Sequence, residues 1–148
     1  MEVKKILWAT DLSENAAAAL PFVTTLAEKH QSEVHVIYVL EEIGYFGAWY
    51  GDFDRTHLDR MKEMEREKAE ARLNEICEGS LKGCPLYVRH TATGDAASEI
   101  LKFIDKEKPD LVVLTTHGRR GRFEIGSVAE KIVRHSPVAV LTIPIKPL

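Results

Sequence analysis

The residues best placed to do chemistry in this chain lie close together: Gly118, Gly121 and Gly126, interleaved with Arg119, Arg120 and Arg122 and closed by Ser127. Glycine lets an anion approach the main chain, and arginine presents a planar fork of donors that matches phosphate oxygens. Ser127 heads an amphipathic segment, Val128 to His135, that reads as a helix. Free backbone N–H groups and the positive end of the helix dipole meet at such a start, so phosphate is the natural guest. The competing reading of the arginines is a solvated basic rim. His117, the one histidine in the stretch, fits either slow phosphate chemistry or a loop hydrogen bond to backbone. The net charge of −3 argues against general nucleic-acid binding and makes this basic cluster a local exception.

The loop needs a strand before it. Pro109 breaks the preceding segment, and Leu111 to Leu114 form a short apolar run of the kind found in strands covered on both faces. Similar runs occur at Val3 to Thr10, Glu33 to Leu40, Leu86 to Thr91 and Val138 to Ile143. Helical patterns separate them. Ser13 is a good N-cap for an alanine-rich helix reaching His30, in which Pro21 predicts a kink or two shorter pieces. Arg55 to Gly79 is highly charged and reads as a long solvated helix, and Gly94-Asp95 opens another that ends before Pro109. Strict β-α alternation predicts a single α/β domain over residues 1–148: a doubly wound parallel sheet with helices on both faces. Ligands of such sheets bind beyond the carboxyl ends of the strands, where strand order reverses. Asp11, just past the first strand, and the Gly118 loop would share that crevice if the first and fourth strands are neighbours.

Other features set bounds. Cys77 and Cys84 form neither a CxxC pair nor part of a Cys/His cluster, so no disulfide framework or zinc site is expected. No leader or membrane-length apolar run stands out, and the cytoplasm is the default location. No HExxH, GxSxG or Walker lysine motif occurs, and the expectation is a binding protein and not an enzyme. Residues 43–54 interleave glycines with Tyr45, Phe46, Trp49, Tyr50 and Phe53. They read as a lid or partner patch, or as aromatics folded over the domain's own edge.

Taken together, Ile6-Leu7-Trp8-Ala9-Thr10-Asp11-Leu12-Ser13, Val36-Ile37-Tyr38-Val39, Thr115-Thr116-His117-Gly118-Arg119-Arg120-Gly121, Gly126-Ser127-Val128-Ala129-Glu130-Lys131 and Arg134-His135-Ser136-Pro137-Val138-Ala139-Val140-Leu141 resemble the universal stress protein family across the whole chain. The resemblance implies a five-stranded parallel sheet ordered 3-2-1-4-5 and a homodimer paired through the last strand, Val138 to Ile143. In one branch it also implies bound ATP, with Mg²⁺ as a possible companion. That branch carries Gly, two residues, Gly, nine residues, then Gly with Ser or Thr. Here the first glycine position falls on Thr115, the second on Gly118 and the last pair on Gly126-Ser127, with only seven residues between Gly118 and Gly126. Asp11 matches the position that contacts the sugar and adenine side, and the alternative is a cap at the helix start. Val39 matches the strand position whose main chain faces adenine and is otherwise plain core, while Ala9 and Thr10 line the same edge. Ser127 is a phosphate ligand or only an N-cap. The implied contact set is Ala9, Thr10, Asp11, Val39, Thr115, His117, Gly118, Arg119, Gly121, Arg122, Gly126, Ser127 and Val128. The resemblance therefore implies a small dimeric stress-response module that binds an adenine nucleotide. The alternative is an interaction protein of the same fold that uses residues 43–54.

Overall fold

The computed structural model describes residues 1–41, 55–82, 84, 86–116 and 125–145. Five strands, β1 (Lys5–Thr10), β2 (Glu33–Leu40), β3 (Leu86–Thr93), β4 (Leu111–Thr115) and β5 (Ala139–Ile143), form one sheet in the order β3-β2-β1-β4-β5. Every neighbouring pair is parallel, with Lys5 opposite Glu33 on one side of β1 and Ile6 opposite Leu111 on the other. The helices are α1 (Glu14–Ala17), α2 (Leu20–His30), α3 (Arg55–Ser80), α4 (Ala96–Glu107) and α5 (Ser127–His135).

Alternation along the inner strands divides their side chains between two cores. Ile6, Trp8, Val34, Val36 and Val113 meet Val23 and Ala27 of α2 and Leu73 and Cys77 of α3. On the opposite face Leu7, Ile37, Val39, Val112 and Leu114 meet Ile100 and Ile104 of α4 and Ala129 and Ile132 of α5. The period of two in a strand therefore serves a sheet buried on both sides, which is why these strands look uniformly apolar. In α3 only the stripe Ala69, Leu73, Cys77 is buried, and Thr56 to Lys68 are exposed apart from half-buried Leu58. The charge run is the solvated face that its composition predicts.

Local chemistry sets the boundaries. Pro21 divides the first helical segment in two: α1 ends before Ala18, and α2 restarts with proline in its first turn, where no N–H is needed. The Ser13 hydroxyl accepts the Ala16 N–H at 3.1 Å, so the expected N-cap is in place. β3 runs two residues beyond Thr91, because pairing continues through Val39 with Ala92 and Leu40 with Thr93. It stops at Gly94, whose φ of +139° strains any other residue and whose N–H reaches the Leu40 carbonyl at 2.9 Å. β5 starts one residue later than expected, because Ser136 Oγ accepts the Val138 N–H at 3.2 Å and donates to the Val138 carbonyl at 2.9 Å.

Asp95 caps α4: its carboxylate accepts the Ser98 amide at 3.0 Å and the Ser98 hydroxyl at 2.8 Å. These two bonds hold the Asp95 carboxyl below its ordinary pKa. Asp95→Ala is expected to cost about 1 kcal/mol at neutral pH, measured by chemical denaturation. A depressed carboxyl pKa contributes stability above the unfolded value and loses it as pH falls through the folded one. The gap between parent and variant should therefore narrow below about pH 4.

Candidate functional site

β1 is the switch point of the sheet. The chain leaves it for β2 on one side and returns to β4 on the other, so the carboxyl tips of β1 and β4 lie side by side where strand order reverses, the position at which sheets of this kind bind ligands. The first- and fourth-strand neighbourhood that the crevice requires is present.

At the β1 tip, side chains satisfy the turning backbone. Thr10, buried, accepts the Leu12 N–H on Oγ1 at 3.0 Å, and Asp11 Oδ1 accepts the Ser13 N–H at 2.9 Å. Leu12 sits at φ 64°, a left-handed conformation uncommon for a leucine. The two bonds hold the turn there, and Ser13 then caps α1. The cap read as the alternative role of Asp11 belongs to Ser13; the Asp11 bond to the Ser13 amide holds the turn before the helix and orients the half-buried carboxylate. Ala9 packs toward the core made by α4 and α5, and alternation turns Thr10 to the opposite face. These two residues share an edge only through their main chains. Val39 lies in the α4–α5 core at 8% exposure, so its side chain is core and its main chain pairs with Ala92.

At the β4 tip Thr115 and Thr116 are half-buried. The Thr116 N–H donates to the Ile143 carbonyl at 3.0 Å, and the Thr116 carbonyl accepts the Gly126 N–H at 2.6 Å. This second bond clamps the start of α5 to the tip of β4. Sequence reasoning did not find it, because a carbonyl carries no residue signature. Gly126, at φ −61° and ψ 149°, is the cap residue, and no side chain caps this helix among the described residues. Ser127 is therefore the first helical residue and not the N-cap. The amides of Ser127, Val128 and Ala129 have no acceptor among the described residues. An uncapped helix start of this kind carries partial positive charge and aligned donors, the requirements of an anion. His117, Gly118, Arg119, Arg120, Gly121 and Arg122 lie outside the described residues, as does the aromatic segment 43–54.

Two hollows lie near these elements. One is bordered by Leu40, Glu41 and Thr93 at the β2 and β3 tips and by Asp59, Lys62, Glu63 and Arg66 of α3. The other lies on the exposed face of α5, along Ile125, Glu130, Val133 and Arg134, where Arg134 pairs with Glu130 at 2.9 Å. Burial pushes the Cys77 thiol up to about 11, and burial followed by the nearby Glu28 charge raises that of Cys84. Both thiols are protonated at neutral pH and poor nucleophiles. Among the described residues no group of three or more His, Cys, Asp or Glu side chains is placed to hold a metal ion. No helix there is long and apolar enough to cross a membrane.

Comparison with known proteins places this geometry. The family model described as "Universal stress protein family" matches residues 2–144. Universal stress protein MJ0531 of Methanocaldococcus jannaschii is 28% identical over 152 residues, covering 97% of this chain and 84% of that protein. The solved structure of the hypothetical protein MJ0577, a universal stress protein of the same organism, has the same fold, with a TM-score of 0.86 at 24% identity over 100% of both chains. A family member from Arabidopsis thaliana, solved with AMP bound, matches at a TM-score of 0.61 and 18% identity, covering 97% of this chain and 92% of that one. The match along nearly the whole chain, on a sheet ordered β3-β2-β1-β4-β5, establishes that this chain belongs to the universal stress protein family.

Proposed function

We propose that this protein binds an adenine nucleotide, ATP foremost, between the carboxyl tips of β1 and β4, and acts as a dimeric regulatory module of the stress response in the cytoplasm. The observation that carries the reading is the start of α5, without a side-chain cap among the described residues and clamped to β4 through Gly126 and Thr116, on the side of the sheet where Asp11 follows β1. A nucleotide needs both ends of that arrangement. The Asp11 carboxylate suits the two ribose hydroxyls, since it accepts hydrogen bonds and is already oriented by the Ser13 amide. The main chains of Ala9, Thr10 and Val39 border the adenine. Thr115, Gly126, Ser127 and Val128, with the phosphate contacts that the family resemblance implies for His117, Gly118, Arg119, Gly121 and Arg122, are the residues we assign to the phosphates, and Mg²⁺ would accompany a triphosphate. The arginines offset what Thr115 and the shortened loop take from backbone approach, because charge-assisted forks reach phosphate from further away. The AMP found in the Arabidopsis relative supports the same ligand class. These roles are binding roles, and none requires a bond to break.

Dimerisation uses the other free element. Among the described residues β5 pairs with β4 alone, which leaves its outer edge without a partner strand there, with Val140, Leu141 and Thr142 half-buried beside it. An apolar edge strand of this kind is a natural surface for a second copy.

Titration with ATP and Mg²⁺ is expected to raise the melting temperature, by the equivalent of about 2.7 kcal/mol at a hundred times Kd. No shift at millimolar ATP would sink the nucleotide reading and leave an interaction module of the same fold. Gly126→Val should abolish most of that shift: its φ and ψ suit valine, so the loss would come from the new side chain blocking phosphate and not from backbone strain. Asp11→Asn retains an oxygen for the Ser13 amide but gives up the acceptor pair. It should weaken ATP binding about tenfold or more with an unchanged melting temperature in the absence of ligand. For the dimer, Val140→Glu should give monomers in sedimentation, and an unchanged profile would exclude the β5 edge.

A further inference from the structure

The half of the sheet opposite the proposed site holds a pair of imidazoles that nucleotide binding does not use. Glu33 and His35 share one face of β2, and His90 lies on the same face of β3, diagonal to His35: His35 stands opposite Val88, and Ile37 opposite His90. His35 Nε2 is hydrogen-bonded to Glu33 Oε1, and His35 Nδ1 lies 2.8 Å from His90 Nε2. The two rings stack at 5.1 Å with 12° between their planes. Phe103 of α4 closes over them, edge-on to His90 at 4.5 Å and tilted to His35 at 6.1 Å. His35 is 5% exposed and His90 half-buried.

Proton counting constrains this chain of contacts. An ionised Glu33 only accepts, so His35 carries a proton on Nε2. One further proton must lie between His35 Nδ1 and His90 Nε2, and either ring can own it. With both rings neutral, His90 donates from Nε2. With one extra proton, either His35 is the imidazolium and donates to both neighbours, or His90 is the imidazolium and its Nε2–H still donates. A second extra proton sets N–H against N–H at 2.8 Å and two cations in stacked rings 5.1 Å apart. The surrounding charges do not remove that conflict. Lys5 of β1 faces the pair while bonded to Glu107 of α4 at 3.5 Å, and Lys106 of α4 adds a second positive charge against Glu33 and Glu107. Burial, and then the charge of His35, accordingly hold the His90 pKa below its ordinary value.

We propose that Glu33, His35 and His90 form an acid-sensitive latch fastening the β2–β3 edge to α4, closed with at most one extra proton and opened by the second. It is independent of nucleotide binding. The sign follows from the lowered His90 pKa. The unfolded chain takes the proton first, so the latch contributes its full stability above about pH 6.5 and loses it as pH falls from there through the folded value.

The test is denaturation of the full chain without nucleotide, between about pH 7.5 and pH 5, where carboxylates stay ionised. The folding constant of the parent should fall, by up to tenfold for each pH unit separating the folded and unfolded His90 values. In His90→Gln, which keeps a donor for His35 without titrating, the fall should be markedly smaller. Parallel pH profiles for parent and variant would overturn the latch. Imidazole ¹⁵N titration of the parent gives a second measure that needs no variant. Two separated steps on His35 and His90 support the proposal, and two independent titrations at ordinary values overturn it.

Discussion

β1 is hydrogen-bonded along both edges and covered on both faces, with Ile6, Leu7 and Trp8 all at 0% exposure. A strand in that position can offer a ligand nothing along its length. Its amides are spent on its neighbours and its side chains on two cores, so chemistry begins only where the strand ends, at Thr10, Asp11 and Ser13. The same burial makes the tip a fixed point. The cost of this position shows at Trp8, whose buried indole N–H has no hydrogen-bond partner among the described residues. One orphan donor of that kind costs about 1–3 kcal/mol, a loss that the large apolar surface of the ring offsets.

The second fixed point is the start of α5. Ala129 and Ile132 anchor the helix in the core with Ile100 and Ile104 of α4, so the direction of its axis follows from packing. The bond from Gly126 to Thr116 then determines where along that axis the helix begins. Dipole direction and position are therefore determined by apolar contacts on one side and by one backbone hydrogen bond on the other. A side-chain cap would satisfy the amides internally, whereas glycine at the cap brings no side-chain acceptor of its own. The carboxylate of Asp11 and the positive start of α5 follow adjacent strands of one switch point.

The two ends of the sheet are built for different tasks. Its carboxyl side concentrates turning backbone held by short polar side chains, as at Leu12, which stays left-handed because Thr10 and Asp11 engage the amides on either side of it. Its amino side is braced by charged and ionisable groups: Asp110 accepts the Lys4 and Lys5 amides at 2.9 Å each, and Glu33 binds His35. Bracing by titratable groups couples rigidity to pH.

Local rules suffice wherever the controlling interaction lies within a few residues. The alternation of apolar runs with amphipathic segments gave the element order, Ser13 and Asp95 marked helix starts, Pro21 marked the break between α1 and α2, and the resemblance carried the strand order and the candidate contact residues. Interactions between distant residues escaped that reading. The clamp between Thr116 and Gly126 joins a carbonyl to an amide and leaves no mark in residue type. The shift of the cap from Ser127 to Gly126 follows from that clamp. His35 and His90 are 55 positions apart and read as ordinary strand residues until β2 and β3 pair. Asp11 shows the division most plainly: its type and place were legible, but its orientation depends on a turn whose shape is set by β1 being packed in the middle of the sheet. Residue type and spacing are properties of the chain, so the sequence alone determined which groups are available; their mutual position needs long-range pairing and burial, and that was decided only by the tertiary structure.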